Sequence, residues 1–343
     1  MPHTEITTLG EFGLIDHLTK SFTISNLSTE KGVGDDAAVL SFPGKKVLVT
    51  TDLLLEGIHF DLVYVPLKHL GYKAAVVNFS DIYAMNGNPK QITVSLGISK
   101  RFSVEHLEEL YDGIKLACER YGVDLVGGDT SASATGLTIS ITCIGEVSED
   151  KLTFRHTANE NDLICVTGDL GAAYMGLQLL EREKIAFDGQ SDFQPDFKGK
   201  DYILERQLKP EARKEVVEAL AAKNIVPTSM IDISDGLSSE ILHICTQSKK
   251  GCRIYEDRLP IDYQTAVMAE ELNMNLTTAA MNGGEDYELL FTVPVALHDE
   301  VLAIESVKVI GYMAKADLGC CLVTRDEQEF PIKAQGWNLS EKI

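Results

Sequence analysis

Residues 47–61, VLVTTDLLLEGIHFD, carry an apolar run that stops at two hydroxyls and a carboxylate, Thr50, Thr51 and Asp52. Val47, Leu48 and Val49 have the β-branched and apolar character of a buried strand, which predicts that Asp52 emerges at a strand end with both threonines beside it. A hydroxyl and carboxylate cluster in that place suits a hard cation. Mg²⁺ takes oxygen ligands, often one or two carboxylates plus substrate phosphates, and keeps water for the rest of its octahedron. An Asp capping the next turn fits the same residues.

Similar junctions recur on both sides of this stretch. In KGVGDDAAVL, residues 31–40, Gly32 and Gly34 loosen the backbone before Asp35 and Asp36, and Ala37, Ala38 and Val39 begin a strand; a solvated turn fits that pair as well. In DLVGGDTS, residues 124–131, an apolar strand runs into Gly127 and Gly128, where a ligand can approach the backbone, and then into Asp129, Thr130 and Ser131. SMIDISDGLSSEILHIC, residues 229–245, puts Asp232, Ser234 and Asp235 at a strand-to-helix junction bent by Gly236. AAMNGGEDYELLFTV, residues 279–293, sets Gly283, Gly284, Glu285 and Asp286 just before a buried strand. Pro66 opens a helix that Gly87 and Pro89 end, with Ala74, Val77, Asn78, Asp81, Ala84 and Met85 on one face. A buried acid costs several kcal/mol unless paired or metal-bound, so Asp81 either meets a cation or caps a backbone end.

The remaining pattern alternates strands and helices. Residues 91–98 and 137–147 read as strands. Ser103 caps a helix whose inner face is Val104, Leu107, Leu110, Tyr111, Ile114 and Cys118, ended by Gly122; Tyr111 is most simply a core residue there. Near residue 149 the texture changes, which divides the chain into residues 1–148 and 149–343. A strand over 162–167 leads through GDLG, residues 168–171, into the helix AAYMGLQLLERE; a turn of this kind can hold a phosphate but is too short to establish one. Residues 184–202 have no clear period and read as a surface loop, and a helix follows Pro210. His59 falls near a strand edge, where it meets substrate or serves structure.

The chain has 343 residues, more than one core usually serves. Its 31 basic and 52 acidic residues leave a net charge of -21, which repels nucleic acid and anionic lipid. An acidic protein that binds a polyanion must neutralise it by other means, and bound metal ions would do so. The seven cysteines, Cys118, Cys143, Cys165, Cys245, Cys252, Cys320 and Cys321, include no CxxC pair. They read as small buried hydrophobes of a reduced compartment rather than a disulfide or zinc framework. The first twenty residues lack the pattern of a signal peptide, and no apolar run reaches the length of a membrane span. Cytoplasm and a small-molecule role, with no nucleic acid and no membrane, are the expectations.

Asp35, Asp52, Asp81, Asp129, Asp232 and Asp235 sit at or face the ends of apolar elements, mostly beside glycine or hydroxyl residues. Gathered in one cleft they would repel strongly, so the arrangement calls for several divalent ions and a bound polyanion. Nucleoside triphosphate with Mg²⁺ meets the requirement. Since no GxxxxGK[ST] loop, HRD or DFG set, or post-strand GxGxxG is present, ATP would be held by metal bridging instead of a lysine cradle.

Taken in order, GVGDDAAVL, TTDLLLEGIHF, NFSDIYAMNG, LVGGDTS, VTGDLG, MIDISDGLSSE and NGGEDYELLFTV closely resemble the thiamine-monophosphate kinase family. Its superfamily includes aminoimidazole ribonucleotide synthetase and selenophosphate synthetase. The resemblance spans roughly residues 10–340 and leaves the 184–202 stretch unmatched. It implies ATP-dependent phosphorylation of thiamine monophosphate to thiamine diphosphate, with Mg²⁺ and without a phosphoenzyme. The implied fold is α/β in the α+β sense, the two-domain aminoimidazole ribonucleotide synthetase-like fold. Residues 1–148 would form an ATP- and Mg²⁺-binding sheet domain that pairs with its twin in a homodimer, and residues 149–343 a helix-on-sheet domain. Carried over residue by residue, Mg²⁺ ligation falls to Asp35, Thr51, Asp52, Asp81, Asp129, Asp232 and Asp235, with Thr50 joining them. ATP contacts fall to Tyr111, Gly128, Asp129, Arg155 and Ser234, substrate contacts to His59, Glu285 and Trp337. Asp52 and Asp235 are the acids on which catalysis depends. Trp337 suits the thiazolium cation, since cation-π stacking contributes about 0.5 to 2 kcal/mol; it also reads as a packing residue.

Two other readings stay open on the sequence alone. A sister enzyme resembling aminoimidazole ribonucleotide synthetase is one, although it should lack GGEDYELLF in this form. Selenophosphate synthetases carry a reactive residue near the N-terminus, whereas the first cysteine here is Cys118, and hydrogenase-maturation relatives end in a cysteine, whereas this chain ends in Glu341, Lys342 and Ile343. The second is a non-catalytic acidic scaffold that binds divalent ions without ATP.

Overall fold

The computed structural model describes residues 17–31, 39–187 and 195–334, so Asp35, Asp36 and Trp337 lie outside the described residues. The chain divides into one unit of residues 1–83 and 87–152 and another of residues 84–86 and 153–343. In the first, the order is β1 (Thr29–Lys31), β2 (Val39–Leu40), β3 (Lys46–Leu55), α1 (Leu67–Ala84), β4 (Asn88–Ile98), α2 (Val104–Tyr121), β5 (Asp124–Ala132) and β6 (Thr138–Val147). β1 and β2 form a small antiparallel pair, and the main sheet runs β3-β6-β4-β5. β4 and β5 are parallel; the other two pairings are antiparallel.

Two helices cover one face of this sheet's core. Ser103 and Gly122 bound α2 as their residue types predict: the Ser103 N–H donates to His106 Nδ1, and Gly122 takes the left-handed conformation at φ 71°. α1 and α2 meet backbone to backbone, because a Cβ on Gly71 would lie 1.9 Å from the Leu110 carbonyl oxygen and one on Gly113 1.9 Å from that of Lys68. On its other side α1 lays Ile82 over Gly145 of β6. Enclosed in this way, α1 is buried all round from residue 70 to residue 80, not on the single face that the sequence spacing suggests.

Three sequence expectations are corrected. β3 does not stop at Asp52 but continues to Leu55, with an unbroken ladder from Lys46 opposite Val147 to Leu55 opposite Thr138. The strand is buried on one face only: Leu48 and Leu54 point inward while Val47, Val49 and Leu53 are exposed, so its apolar run does not mark a strand covered on both faces. β5 likewise runs on through Asp129 to Ala132, after an irregularity in its pairing with β4 between Ile92 and Thr93. Gly128 has a structural reason as well, since a Cβ there would sit 2.0 Å from the Val94 carbonyl oxygen.

The second unit contains β7 (Leu163–Thr167), α3 (Ala172–Phe187), α4 (Asp201–Leu208), α5 (Lys214–Ala222), β8 (Ser229–Asp232), α6 (Leu237–Ser248), β9 (Gly251–Tyr255), α7 (Tyr263–Glu271), α8 (Leu276–Asn282), β10 (Leu289–Val293), α9 (His298–Leu302), β11 (Val307–Ala314), β12 (Cys320–Val323) and β13 (Glu329–Pro331). Its seven-stranded sheet has the order β13-β12-β9-β11-β7-β10-β8. Only β9 and β12 pair in parallel. Ile241, Ile244 and Leu237 of α6 pack on Ile164, Ile231, Ile254 and Leu290 of the strands. A second core joins Met175 and Leu179 of α3, Ile203 of α4, Met268 of α7 and Ala279 of α8. The stretch 184–202 is therefore shorter as a loop than its composition suggests, because α3 reaches Phe187 and α4 begins at Asp201 to bury Ile203. No helix among the described residues is long and apolar enough to cross a membrane.

Candidate active site

Strand alternation separates the residues of the TTD motif. Thr50 and Asp52 lie on the inward face with Leu48 and Leu54, and the Thr50 hydroxyl donates to Asp81 Oδ2 of α1 at 2.5 Å. The Asp52 N–H donates to the Asn78 side-chain oxygen at 3.2 Å, which ties the strand to the helix one turn before Asp81. Burial, and then the Asp81 carboxylate, push the Asp52 carboxyl up from its ordinary 3.8 to about 6. Two acids and a hydroxyl thus face one another, and the two carboxylates repel. Thr51 belongs to the opposite face, where its hydroxyl donates to the Ile141 carbonyl at 3.2 Å and accepts from Thr142 at 3.1 Å. Its side chain is not brought together with Thr50 and Asp52. Asp129 is exposed on β5, at the other edge of the sheet from β3.

His59 and Tyr111 also belong to this unit. His59 is exposed on the turn after β3, and its Nδ1 accepts the Leu55 N–H at 3.0 Å, which leaves Nε2 to face outward. Tyr111 is buried in α2, edge-on to Phe22 at 6.4 Å, and burial pushes its hydroxyl up to about 12. It also borders a cavity of about 350 Å³ lined by His17, Lys20, Phe22, Glu108 and Asp112.

In the second unit, the turn after β8 and the segment before β10 interlock. The Glu285 N–H donates to the Ser234 carbonyl at 2.7 Å and the Tyr287 N–H to that of Ile233 at 2.9 Å. A Cβ on Gly284 would meet the Ser234 carbonyl oxygen at 2.7 Å. Glu285 and Tyr287 both adopt left-handed backbone, at φ 56° and 51°, a conformation rare outside glycine that functional segments often hold under strain. Ser234, Asp235 and Glu285 are thereby collected on one loop pair. Asp232 is buried at the end of β8, and Asp235 is exposed at the start of α6. The Asp235 N–H donates to Glu240 at 3.1 Å. Glu240 is itself buried, and burial pushes its carboxyl up to about 7 against the opposing pull of that N–H. The Arg155 backbone is pinned by the Ser229 and Ser248 hydroxyls, which donate to its carbonyl at 2.8 and 3.2 Å, while its side chain is exposed and acts electrostatically on Glu240.

Residues 34–147 match the family of AIR synthase related protein, N-terminal domain, and residues 159–319 that of AIR synthase related protein, C-terminal domain. The chain is 32% identical over 336 residues to the thiamine-monophosphate kinase of Bacillus subtilis (strain 168), covering 96% of this chain and 99% of that protein. It is 36% identical over 286 residues to the thiamine-monophosphate kinase of Aquifex aeolicus (strain VF5), covering 83% and 86%. The chain belongs to the thiamine-monophosphate kinase family. A solved structure of AaThiL complexed with AMPPCP and TMP matches it with a TM-score of 0.74 at 32% identity, over 97% of this chain and 98% of that one.

Two acids in or directly beside the kinase motifs serve the fold. Asp124, at the start of DLVGGDTS, is buried, which by itself would raise its carboxyl. Hydrogen bonds from Thr29 and from Ser25 and Asn26 hold it below the usual range and pin residues 25–29 to β5. Asp286 of NGGEDYELLFTV receives the Gly171 N–H on both oxygens, at 3.1 and 3.0 Å. One N–H at the N-terminus of α3 is thereby engaged by this protein's own carboxylate. Glu240 was legible only as part of a helix, since its role depends on a five-residue reach back to the Asp235 N–H.

Proposed function

We propose that this chain transfers the γ-phosphoryl group of ATP to thiamine monophosphate, forming thiamine diphosphate and ADP. The carrying observation is the inward-facing set of Thr50, Asp52 and Asp81, in which burial and a neighbouring acid destabilise a carboxylate. Such a set of hard oxygen donors fits Mg²⁺. Family membership over nearly the whole chain supports the same reading.

When bound, Mg²⁺ neutralises phosphate charge and lowers the repulsion between two anionic substrates. In the first unit Thr50, Asp52 and Asp81 would hold it, and Asp129 by family correspondence. In the second unit Asp232 and Asp235 would hold Mg²⁺ by the same family correspondence. Thr51 contributes no side-chain ligand in this assignment, because its hydroxyl is engaged on the outer face. Arg155 offers an exposed fixed cation to phosphate, while Ser234, Gly128 and Tyr111 contact ATP. His59 presents Nε2 to thiamine monophosphate. Glu285, held by the Gln207 amide at 2.8 Å, contacts the same substrate.

A phosphate oxygen of thiamine monophosphate forms the new bond to the γ-phosphorus as the bond to the bridging oxygen of the β-phosphate breaks, and ADP leaves. That attacking oxygen is already ionised at pH 7, so no strong general base is needed and the side chains act by positioning and charge. Free thiols at all seven cysteines and the use of ATP support a cytoplasmic setting. A coupled assay for ADP release with thiamine monophosphate, thiamine and an aminoimidazole precursor tests the reading. Turnover is expected with the monophosphate alone; equal ADP release with thiamine, or with no acceptor, overturns it.

The outer face of β3 supports a homodimer. Val47, Val49 and Leu53 stand on it 48%, 67% and 52% exposed, a run of apolar surface that a second copy would cover. Val49→Lys is expected to shift the protein from dimer to monomer in analytical ultracentrifugation. A wild-type monomer at micromolar concentration refutes the pairing.

A further inference from the structure

The parallel pairing of β9 with β12 sets Cys252 and Cys320 in register, so their side chains rise from the same face of the sheet. α6 lies on that face and brings Cys245 down from its last turns. Lys249 then takes left-handed backbone at φ 55°, the Lys250 N–H donates to the Cys245 carbonyl at 2.9 Å, and the chain returns into β9. The three sulfurs lie within 4.8 Å of one another, and each thiol is within hydrogen-bonding reach of the other two. Cysteines seven and sixty-eight residues apart are thus gathered by helix, turn and register.

We propose that Cys245, Cys252 and Cys320 form a thiolate site for a single divalent thiophilic cation of the Zn²⁺ class, binding α6 to β9 and β12. With Zn–S bonds of about 2.3 Å, three thiolates around one ion stand about 4 Å apart. The observed separations, all within 4.8 Å, are close to that. Cys245 and Cys252 are buried, whereas Cys320 is half-buried, so the ion's fourth position opens on the Cys320 side, where water can complete a tetrahedron.

Charge favours a divalent over a monovalent ion. Three thiolates within the core cluster that also holds Ile241, Ile254 and Leu322 carry three negative charges. The Arg253 guanidinium, which donates to the carbonyls of Cys252, Gly319 and Leu318 at 2.9, 3.2 and 3.1 Å, flanks two of the three cysteines. With that cation a divalent ion brings the local sum to zero and a monovalent ion does not. Glu329, which Arg253 also meets at 2.9 Å, is half-exposed and screened by solvent. None of the residues assigned to phosphoryl transfer takes part. α6 nevertheless begins just after Asp235 and Gly236, so an ion at its far end would fix the helix that carries Asp235.

The test is a Co²⁺ titration of the reduced, full-length protein under saturating Mg²⁺, followed by displacement with Zn²⁺. A thiolate-to-Co²⁺ charge-transfer band is expected to grow to a single equivalent and to bleach as Zn²⁺ is added. Cys320→Ser, chosen because its site is not fully buried, should lose the band while its circular dichroism is unchanged. Cys321→Ser, the next residue on β12 and outside the trio, should keep it. Zn²⁺ should also raise the Tm of the wild type and not of Cys320→Ser, since a ligand that binds only the folded state stabilises it. Absence of the band in the wild type, its survival in Cys320→Ser, or a disulfide joining two of the three in reductant-treated protein each overturns the proposal.

Discussion

Asp52→Asn is expected to lower turnover by at least about a hundredfold, in the range that follows loss of a single well-placed electrostatic group, while making the metal-free protein more stable. Asparagine keeps the shape of the side chain and the Asp52 N–H bond to Asn78, so the fold is preserved. What disappears is the charge of the acid that the proposed Mg²⁺ site sets beside Thr50 and Asp81. The stability effect has the opposite sign because Asp52 is raised from 3.8 to about 6, by burial and then by Asp81. Its contribution to stability is fully present below about pH 4 and is lost as pH rises through 6, since the unfolded chain releases the proton first. At pH 7.5 the wild type bears that loss and the asparagine variant does not, a difference of about 1 to 3 kcal/mol. Urea denaturation in the presence of a chelator should show the gap at pH 7.5 and little of it at pH 4. Near-normal rates for Asp52→Asn at saturating Mg²⁺ would remove Asp52 from the reaction.

Arg206→Met is expected to destabilise the second unit by about 3 to 5 kcal/mol, the loss typical when one partner leaves a buried ion pair. Glu288 is fully buried and receives Arg206 at 2.8 Å, the Arg213 Nε at 2.5 Å and the Thr167 hydroxyl at 2.5 Å. Asp286, equally buried, lies 3.8 Å from Arg206. Removing that guanidinium leaves two buried acids to share one arginine. These two acids flank Tyr287 and follow Glu285, two non-glycine residues of this segment held at positive φ, so the ionic cluster fixes the strained segment that presents Glu285. Adding Glu288→Gln to Arg206→Met should recover part of the loss, because the uncompensated charge goes with it. A single variant that unfolds at the wild-type urea midpoint would show that the cluster does not hold this segment.

What the sequence shows of this fold depends on how local the cause is. α2 was legible to its ends, since Ser103, Gly122 and the spacing of Leu107, Leu110 and Ile114 are all local signals. The SDG turn before α6 was legible for the same reason. β3 was not, because an apolar run followed by hydroxyls looks like a strand end when its outer face lies open, and only pairing with β6 reveals its continuation. The structural roles of Asp124 and Asp286 were not legible, although both lie in the acidic junctions DLVGGDTS and NGGEDYELLFTV. Their hydrogen bonds to Ser25, Asn26 and Gly171 come from segments about a hundred residues away, which no spacing rule reaches. The cysteine trio was hidden in the same manner, since its members meet only through strand register and the packing of α6 on the sheet.

The alternation along β3 has a consequence for inheritance as well as for mechanism. Over its ten residues, neighbouring codons answer to different selective demands: positions 48, 50, 52 and 54 to chemistry and core, positions 47, 49, 51 and 53 to whatever lies outside. A slip of one residue along β6 would exchange the two sets and turn Asp52 outward, so variation can accumulate on the outer set only where it leaves the phase of the strand intact.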